Sequence, residues 1–70
     1  MDDKYLIQLG KHIVKLREVK GMTQADLSRA ADKDSPSINR LEKGKINPSV
    51  TYLKEIAEAL GITVSELLDF

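Results

Sequence analysis

Apolar residues recur at helical spacing in five separate runs, each bounded by residues that start or stop a helix. From Lys4 to Lys20, Leu6, Leu9, Ile13 and Leu16 lie three or four positions apart and share one face. Gly21 stands where a C-terminus is expected, and Lys20 is favourable beside the carbonyl end. Gly10 weakens the middle of this helix by about 1 kcal/mol relative to Ala, which permits either fraying of the first turn or close packing of another backbone. Tyr5, Ile7, Val14 and Val19 fall off the stripe and read as scattered surface apolars or as part of a contact. Two short helices follow, anchored by Leu27 with Ala31 and by Ile38 with Leu41, with a polar turn at Asp32-Lys33-Asp34. Thr23 is the predicted N-cap of the first, with Asp26 three residues on in a variant of the capping box. Pro36 suits a first helical position and disfavours helical geometry in the residue before it, so Ser35 is the expected N-cap of the second, with Asp34 competing. That helix should end at Gly44, before a loop closed by Pro48. Ser49 caps a fourth helix with the stripe Leu53, Ile56, Ala57 and Leu60, ended by Gly61. Thr63 and Glu66 form a full capping box, opening a fifth helix expected to run to the chain end through Val64, Leu67 and Leu68. With no strand pattern and no repeat, the expectation is an all-α single domain over residues 1–70.

Seventy residues support one core, burying about 60% of the unfolded surface, and leave no room for a catalytic domain beside it. The absence of cysteine excludes disulfides and thiolate zinc sites and is compatible with a reducing cytoplasm. No apolar run can span a bilayer, and the acidic start Met1-Asp2-Asp3 shows no signal peptide, so a cytoplasmic protein is expected. Eleven basic and eleven acidic residues cancel, which gives no global attraction to a polyanion. The distribution is uneven: residues 1–20 carry five basic against three acidic groups, residues 21–48 five against four, and residues 49–70 one against four. A nucleic acid should therefore meet the first two thirds of the chain.

Opposite the Ile38 and Leu41 face, Pro36, Asn39, Arg40 and Lys43 recur at i, i+3, i+4 and i+7. A short helix offering amide, guanidinium and ammonium groups suits the major groove of DNA. Gln24, at the first position of the preceding helix, lies beside free backbone N–H groups that can bind a phosphate oxygen with it. By composition alone, a solvated charged face is the commoner role for residues such as Arg40 and Lys43.

The ordered set Leu9-Gly10-Lys11, Ile13, Leu16, Arg17, Gly21-Met22-Thr23-Gln24, Leu27, Ala31, Ile38, Arg40-Leu41-Glu42-Lys43-Gly44 and Asn47-Pro48-Ser49 continues through Ile56-Ala57, Ala59-Leu60-Gly61-Ile62 and Glu66-Leu67-Leu68. This set resembles the lambda-repressor-like helix-turn-helix domains of the Xre type, over nearly the whole chain. The resemblance implies a five-helix DNA-binding domain whose helix-turn-helix motif spans about residues 23–43, with the second motif helix reading DNA. It places Ser35, Pro36, Asn39 and Arg40 at base edges, and Gln24, Ser37, Lys43 and Lys45 at the sugar-phosphate backbone. Chemistry agrees for several: Arg40 can donate bidentately to guanine and Asn39 can pair with adenine, while Lys43 and Lys45 can neutralise phosphates. The resemblance also implies a structural ion pair between Arg17 and Glu42 that fixes the angle of the reading helix.

The chain departs from the family where Asp32 replaces the usual turn glycine, Lys33 an apolar residue, and Ser28 a small apolar residue that would need a backbone hydrogen bond if buried. Pro36 has no donor for a base, and Asp32 and Asp34 add repulsion near phosphates. Val50, Tyr52, Ile62, Leu68 and Phe70 exceed the inward stripes of the last two helices and are the expected homodimer surface, with completion of a small core as their alternative. An enzyme lacks its parts, with His12 the single histidine, expected on a helix surface, and no glycine-rich phosphate loop. No cofactor, metal or small-molecule ligand is implied. The expected function is sequence-specific binding of double-stranded DNA by a dimeric transcriptional regulator. The alternative is a protein-interaction module of the same fold, such as an antitoxin component or adaptor, with weak or no DNA binding.

Overall fold

In the computed structural model, which describes residues 3–70, each of the five runs is a helix: α1 (Asp3–Val19), α2 (Gln24–Ala30), α3 (Ser35–Glu42), α4 (Val50–Leu60) and α5 (Val64–Leu67). Met1 and Asp2, part of the acidic start, lie outside the described residues, among which there is no strand. The periodic residues make the core: Leu9, Ile13, Leu27, Ile38, Leu41, Ile56 and Leu67 are fully buried, with Leu6, Ala31, Leu53, Ala57 and Leu60 nearly so. Tyr5, Ile7 and Val19 are exposed. The helix α3 lies between α1 and α2, and α4 packs on α2 and α5. No helix among the described residues is long and apolar enough to cross a membrane.

Local chemistry sets the helix starts. Thr23 Oγ1 accepts from the Asp26 N–H at 3.0 Å while Asp26 Oδ2 accepts from the Thr23 N–H at 2.9 Å, which completes the capping box. Ser49 Oγ accepts from the Tyr52 N–H, and Thr63 with Glu66 forms the second box. The start of α3 corrects the expectation, since the N-cap is Asp34, whose Oδ1 accepts from the Ser37 N–H at 2.7 Å. Ser35 is instead the first helical residue, and its hydroxyl lies 3.2 Å from that of Ser28. At the other end α5 stops after one turn and does not run to the chain end. The Phe70 N–H returns to the Leu68 carbonyl, and its ring lies 5.0 Å from Tyr5 and 5.5 Å from His12. His12 is accordingly half-buried at this junction and not on an open helix surface; its Nε2 is 3.3 Å from the Glu66 carbonyl oxygen.

Gly10 is buried where α1 meets the end of α3 backbone to backbone. A Cβ there would overlap the Glu42 carbonyl oxygen and lie 2.6 Å from its carbon and 2.8 Å from the Leu41 oxygen. Close packing of another backbone is therefore the role of this glycine. Gly44 repeats the contact one turn earlier on α1: its φ is +72°, and a Cβ would lie 2.7 Å from the Ile7 Cα.

Helix propensity alone would make Gly10→Ala stabilising by about 1 kcal/mol. The overlap reverses the sign, and a loss of about 3 kcal/mol, read from the urea midpoint, is expected instead. The acid limb of stability follows from the two capping aspartates. Hydrogen bonds from the Thr23 backbone and then its hydroxyl hold Asp26 below the usual carboxylate value, and the Ser37 hydroxyl and then its backbone do so for Asp34. Such groups contribute fully above the unfolded value of about 3.9, and the contribution is lost as pH falls through the lower folded value. Urea midpoints taken from pH 6 down to pH 2 should fall through this window, less steeply for Asp34→Asn, which keeps a capping oxygen without titrating.

Candidate nucleic-acid interface

The helix α3 is eight residues long, and burial of Ile38, Leu41 and Glu42 turns its opposite face outward. Ser35, Pro36 and Arg40 are exposed, and Ser37 and Asn39 are half-exposed. Lys43 and Lys45 are exposed just beyond the helix. Arg40 Nη2 donates to Ser37 Oγ at 3.3 Å, leaving the rest of its fork open to solvent. The carboxylate of Asp34 sits at the positive end of α3, engaged as a cap, so much of its field is spent on the helix it starts.

A buried ion pair seats this helix. Arg17 Nε donates to Glu42 Oε2 at 2.8 Å and Nη2 donates to Oε1 at 3.2 Å, in the side-by-side geometry that suits a guanidinium and a carboxylate. Arg17 Nη1 also donates to the Met22 carbonyl at 2.9 Å. The side chains are only 12% and 3% exposed, and the hydrogen bond to Glu42 raises the Arg17 pKa above its ordinary value. Gln24 joins the same group, with Nε2 donating to Glu42 Oε1 at 2.8 Å and Oε1 accepting from Asn39 Nδ2 at a longer 3.5 Å. The chain of contacts Arg17, Glu42, Gln24, Asn39 thus runs from α1 to the outward face of α3. Its middle link joins residues eighteen positions apart, a separation at which no helical periodicity brings side chains together.

The turn between α2 and α3 shows how the chain accommodates its unusual residues. Asp32 has φ +56°, the left-handed conformation that glycine adopts freely and that aspartate tolerates better than most. Lys33 donates to Glu55 Oε1 on α4 at 2.8 Å and lies 4.6 Å from the centre of the Tyr52 ring. A salt bridge and a cation–π contact anchor the turn to α4 in place of apolar packing. Ser28 is buried and donates to the Ala25 carbonyl at 2.8 Å, satisfying its hydroxyl within α2.

The five residues expected at a subunit contact divide into two groups. Val50 and Phe70 are exposed, at 77% and 43%. Tyr52, Ile62 and Leu68 are half-buried against the core. The Tyr52 hydroxyl is buried without a hydrogen-bond partner among the described residues, and burial raises its pKa.

Comparison with known proteins bears on this arrangement. The helix-turn-helix family model matches residues 13–67. An HTH-type transcriptional regulator of Sinorhizobium fredii, y4dJ, is 35% identical over 68 residues, covering 97% of this chain and 86% of the relative. The HTH-type transcriptional regulator DdrOP3 of Deinococcus deserti is 35% identical over 63 residues, covering 90% of this chain; the chain spans only 49% of that relative. The crystal structure of the restriction-modification controller protein C.AhdI from Aeromonas hydrophila superposes with a TM-score of 0.86 at 31% identity, covering 89% of this chain and 94% of that one.

Replacing Arg17 with Met would leave the Glu42 carboxylate buried without its guanidinium. Breaking such a pair costs about 3–5 kcal/mol, which approaches the whole stability of a domain this small. Arg17→Met is therefore expected to lose most of its far-UV circular dichroism at 25 °C without denaturant; a folded, near-native melting curve would show that the pair contributes little.

Proposed function

Because the chain belongs to the Xre-like helix-turn-helix family, we propose that it is a transcriptional regulator that binds a specific duplex sequence as a homodimer on a two-fold symmetric operator. The observation that supports this most is the outward face of α3, where Asn39 and Arg40 project from a helix whose seat is the buried Arg17–Glu42 pair. A reader of base edges must hold its donors in a fixed register, and a short amphipathic helix on such a seat does so. In this reading Arg40 donates to O6 and N7 of a guanine and Asn39 pairs with N6 and N7 of an adenine. Ser35 offers a hydroxyl to a base edge, and Pro36 contributes shape, against a thymine methyl for example. Gln24, Ser37, Lys43 and Lys45 contact phosphates and set the register.

The homodimer follows from the reach of a single helix, which covers only a few base pairs. Recognition helices in a two-fold complex stand about 34 Å apart. The domain measures 27 × 24 × 21 Å, so two copies in contact can meet that spacing. Val50 and Phe70 supply exposed apolar surface for the contact, and the half-buried Tyr52, Ile62 and Leu68 of the same two-helix segment add to it in this reading. The site of action in this reading is the cytoplasm, and the function calls for no cofactor and no catalysis.

The balance of eleven basic and eleven acidic residues favours the other reading, a protein-interaction module such as an antitoxin component or adaptor. Selection from a pool of random duplexes, followed by anisotropy titration at two salt concentrations, separates the two. A palindromic site should emerge. Arg40→Ala should lose about 1–3 kcal/mol of discrimination at one position of each half-site. Lys43→Ala should instead weaken all sequences alike and reduce the salt slope by roughly 0.9 for each phosphate it no longer neutralises. If no sequence is enriched at low salt, the regulator reading falls and the interaction module replaces it.

A further inference from the structure

The side chains of Glu42, Gln24 and Asn39 form a series whose polarity is decided at its buried end. A carboxylate bound to Arg17 has only acceptors to offer, so the part of Gln24 that meets Glu42 Oε1 at 2.8 Å has to be its amide nitrogen. That choice turns Gln24 Oε1 the other way, toward Asn39 Nδ2 at 3.5 Å. An acceptor at that place selects, in turn, the nitrogen of Asn39 over its oxygen, because the reversed amide would set one carbonyl oxygen against another. Giving Gln24 the N–H trans to Oδ1 leaves the Asn39 amide, at its tip, an acceptor oxygen and the N–H beside it, in one order and not the other. That tip is the group that pairs with adenine N6 and N7, and reversing it would oppose donor to donor and acceptor to acceptor.

We infer that Gln24 is a positioning residue for recognition, transmitting the polarity of the buried Arg17–Glu42 pair to Asn39 and so fixing the base preference at one operator position. The inference rests on the reading of α3 as a base-reading helix. It is distinct from a phosphate contact by Gln24, since the second N–H of its amide is left for a phosphate. Removing a phosphate contact weakens every sequence alike, whereas removing the polarity relay flattens one position.

The test is duplex selection and sequencing on the purified chain, for the wild type and for Asn39→Ala, Gln24→Met and Arg40→Ala. Asn39→Ala identifies the position that Asn39 reads. Gln24→Met keeps the length of the side chain without hydrogen-bonding groups, and the preference at that same position should fall at least about fivefold while the preference that Arg40→Ala abolishes is kept. If Gln24→Met lowers binding to all sequences equally and leaves that preference intact, the relay is overturned although the DNA reading stands. If Asn39→Ala flattens no position while Arg40→Ala does, the relay falls alone; if the wild type selects no site, both fall. Side-chain 15N relaxation on the wild type decides independently should Gln24→Met fail to fold. An Asn39 amide order parameter like that of helix backbone, roughly 0.85, supports the relay, and one below roughly 0.6 overturns it.

Discussion

The middle of α1 against the last turn of α3 is the contact to which the outward face is referred. Gly10 lets the two backbones touch, which sets their separation. Arg17 then grips Glu42 from the side, which sets the rotation of α3 about its own axis. Taking two charges out of water is unfavourable, and attraction alone seldom offsets it. Here the remaining hydrogen-bonding capacity is also used: Arg17 reaches the Met22 carbonyl and Gln24 donates to Glu42. A satisfied polar group of this kind adds geometric definition that an apolar patch of the same size lacks, because each donor has one partner and one direction.

Much of this arrangement can be read from the chain because its causes are local. The stripes of Leu9 with Ile13, Leu27 with Ala31, and Leu53 with Ile56 and Leu60 act within single helices, and all are buried. The caps at Thr23, Ser49 and Thr63 depend on residues three positions away. The reading fails where two neighbouring residues compete for one role or a distant group intervenes. Ser35 loses the cap to Asp34 and has the Ser28 hydroxyl from the preceding helix as its neighbour. The last residues leave α5 because Phe70 finds Tyr5 and His12 at the opposite end of the sequence. Among the site residues, the outward stripe of α3 is visible in its periodicity, while the pairing of Arg17 with Glu42 is suggested only by resemblance. The link from Gln24 to Glu42 and Asn39 has no local signal, since it exists only once α1, α2 and α3 are packed.

The unusual residues of the turn show that a motif can keep its shape with altered chemistry. Asp32 adopts the left-handed backbone without a glycine, and Lys33 ties the turn to Glu55 and Tyr52 by charge where an apolar side chain would use burial. The hydrogen bond to Glu55 raises the Lys33 pKa, which keeps the ammonium charged on this anchor. Charge is thus partly committed within the domain, in the pairs Arg17–Glu42, Lys33–Glu55 and Arg29–Asp26, each of which is neutral and leaves the overall balance at zero.

The backbone contact at Gly10 has a mechanical meaning. Between most packed helices lies a layer of side chains that can change rotamer and let the axes slide or tilt by an ångström or so. At Gly10 that layer is missing, and α3 is bolted to its support. In the proposed homodimer, an imperfect operator could not be met by adjusting α3 within a subunit. The misfit would have to be taken up by bending or twisting of the duplex, or by play at the junction between subunits, so operators should be ranked partly by the stiffness of base pairs the protein never touches.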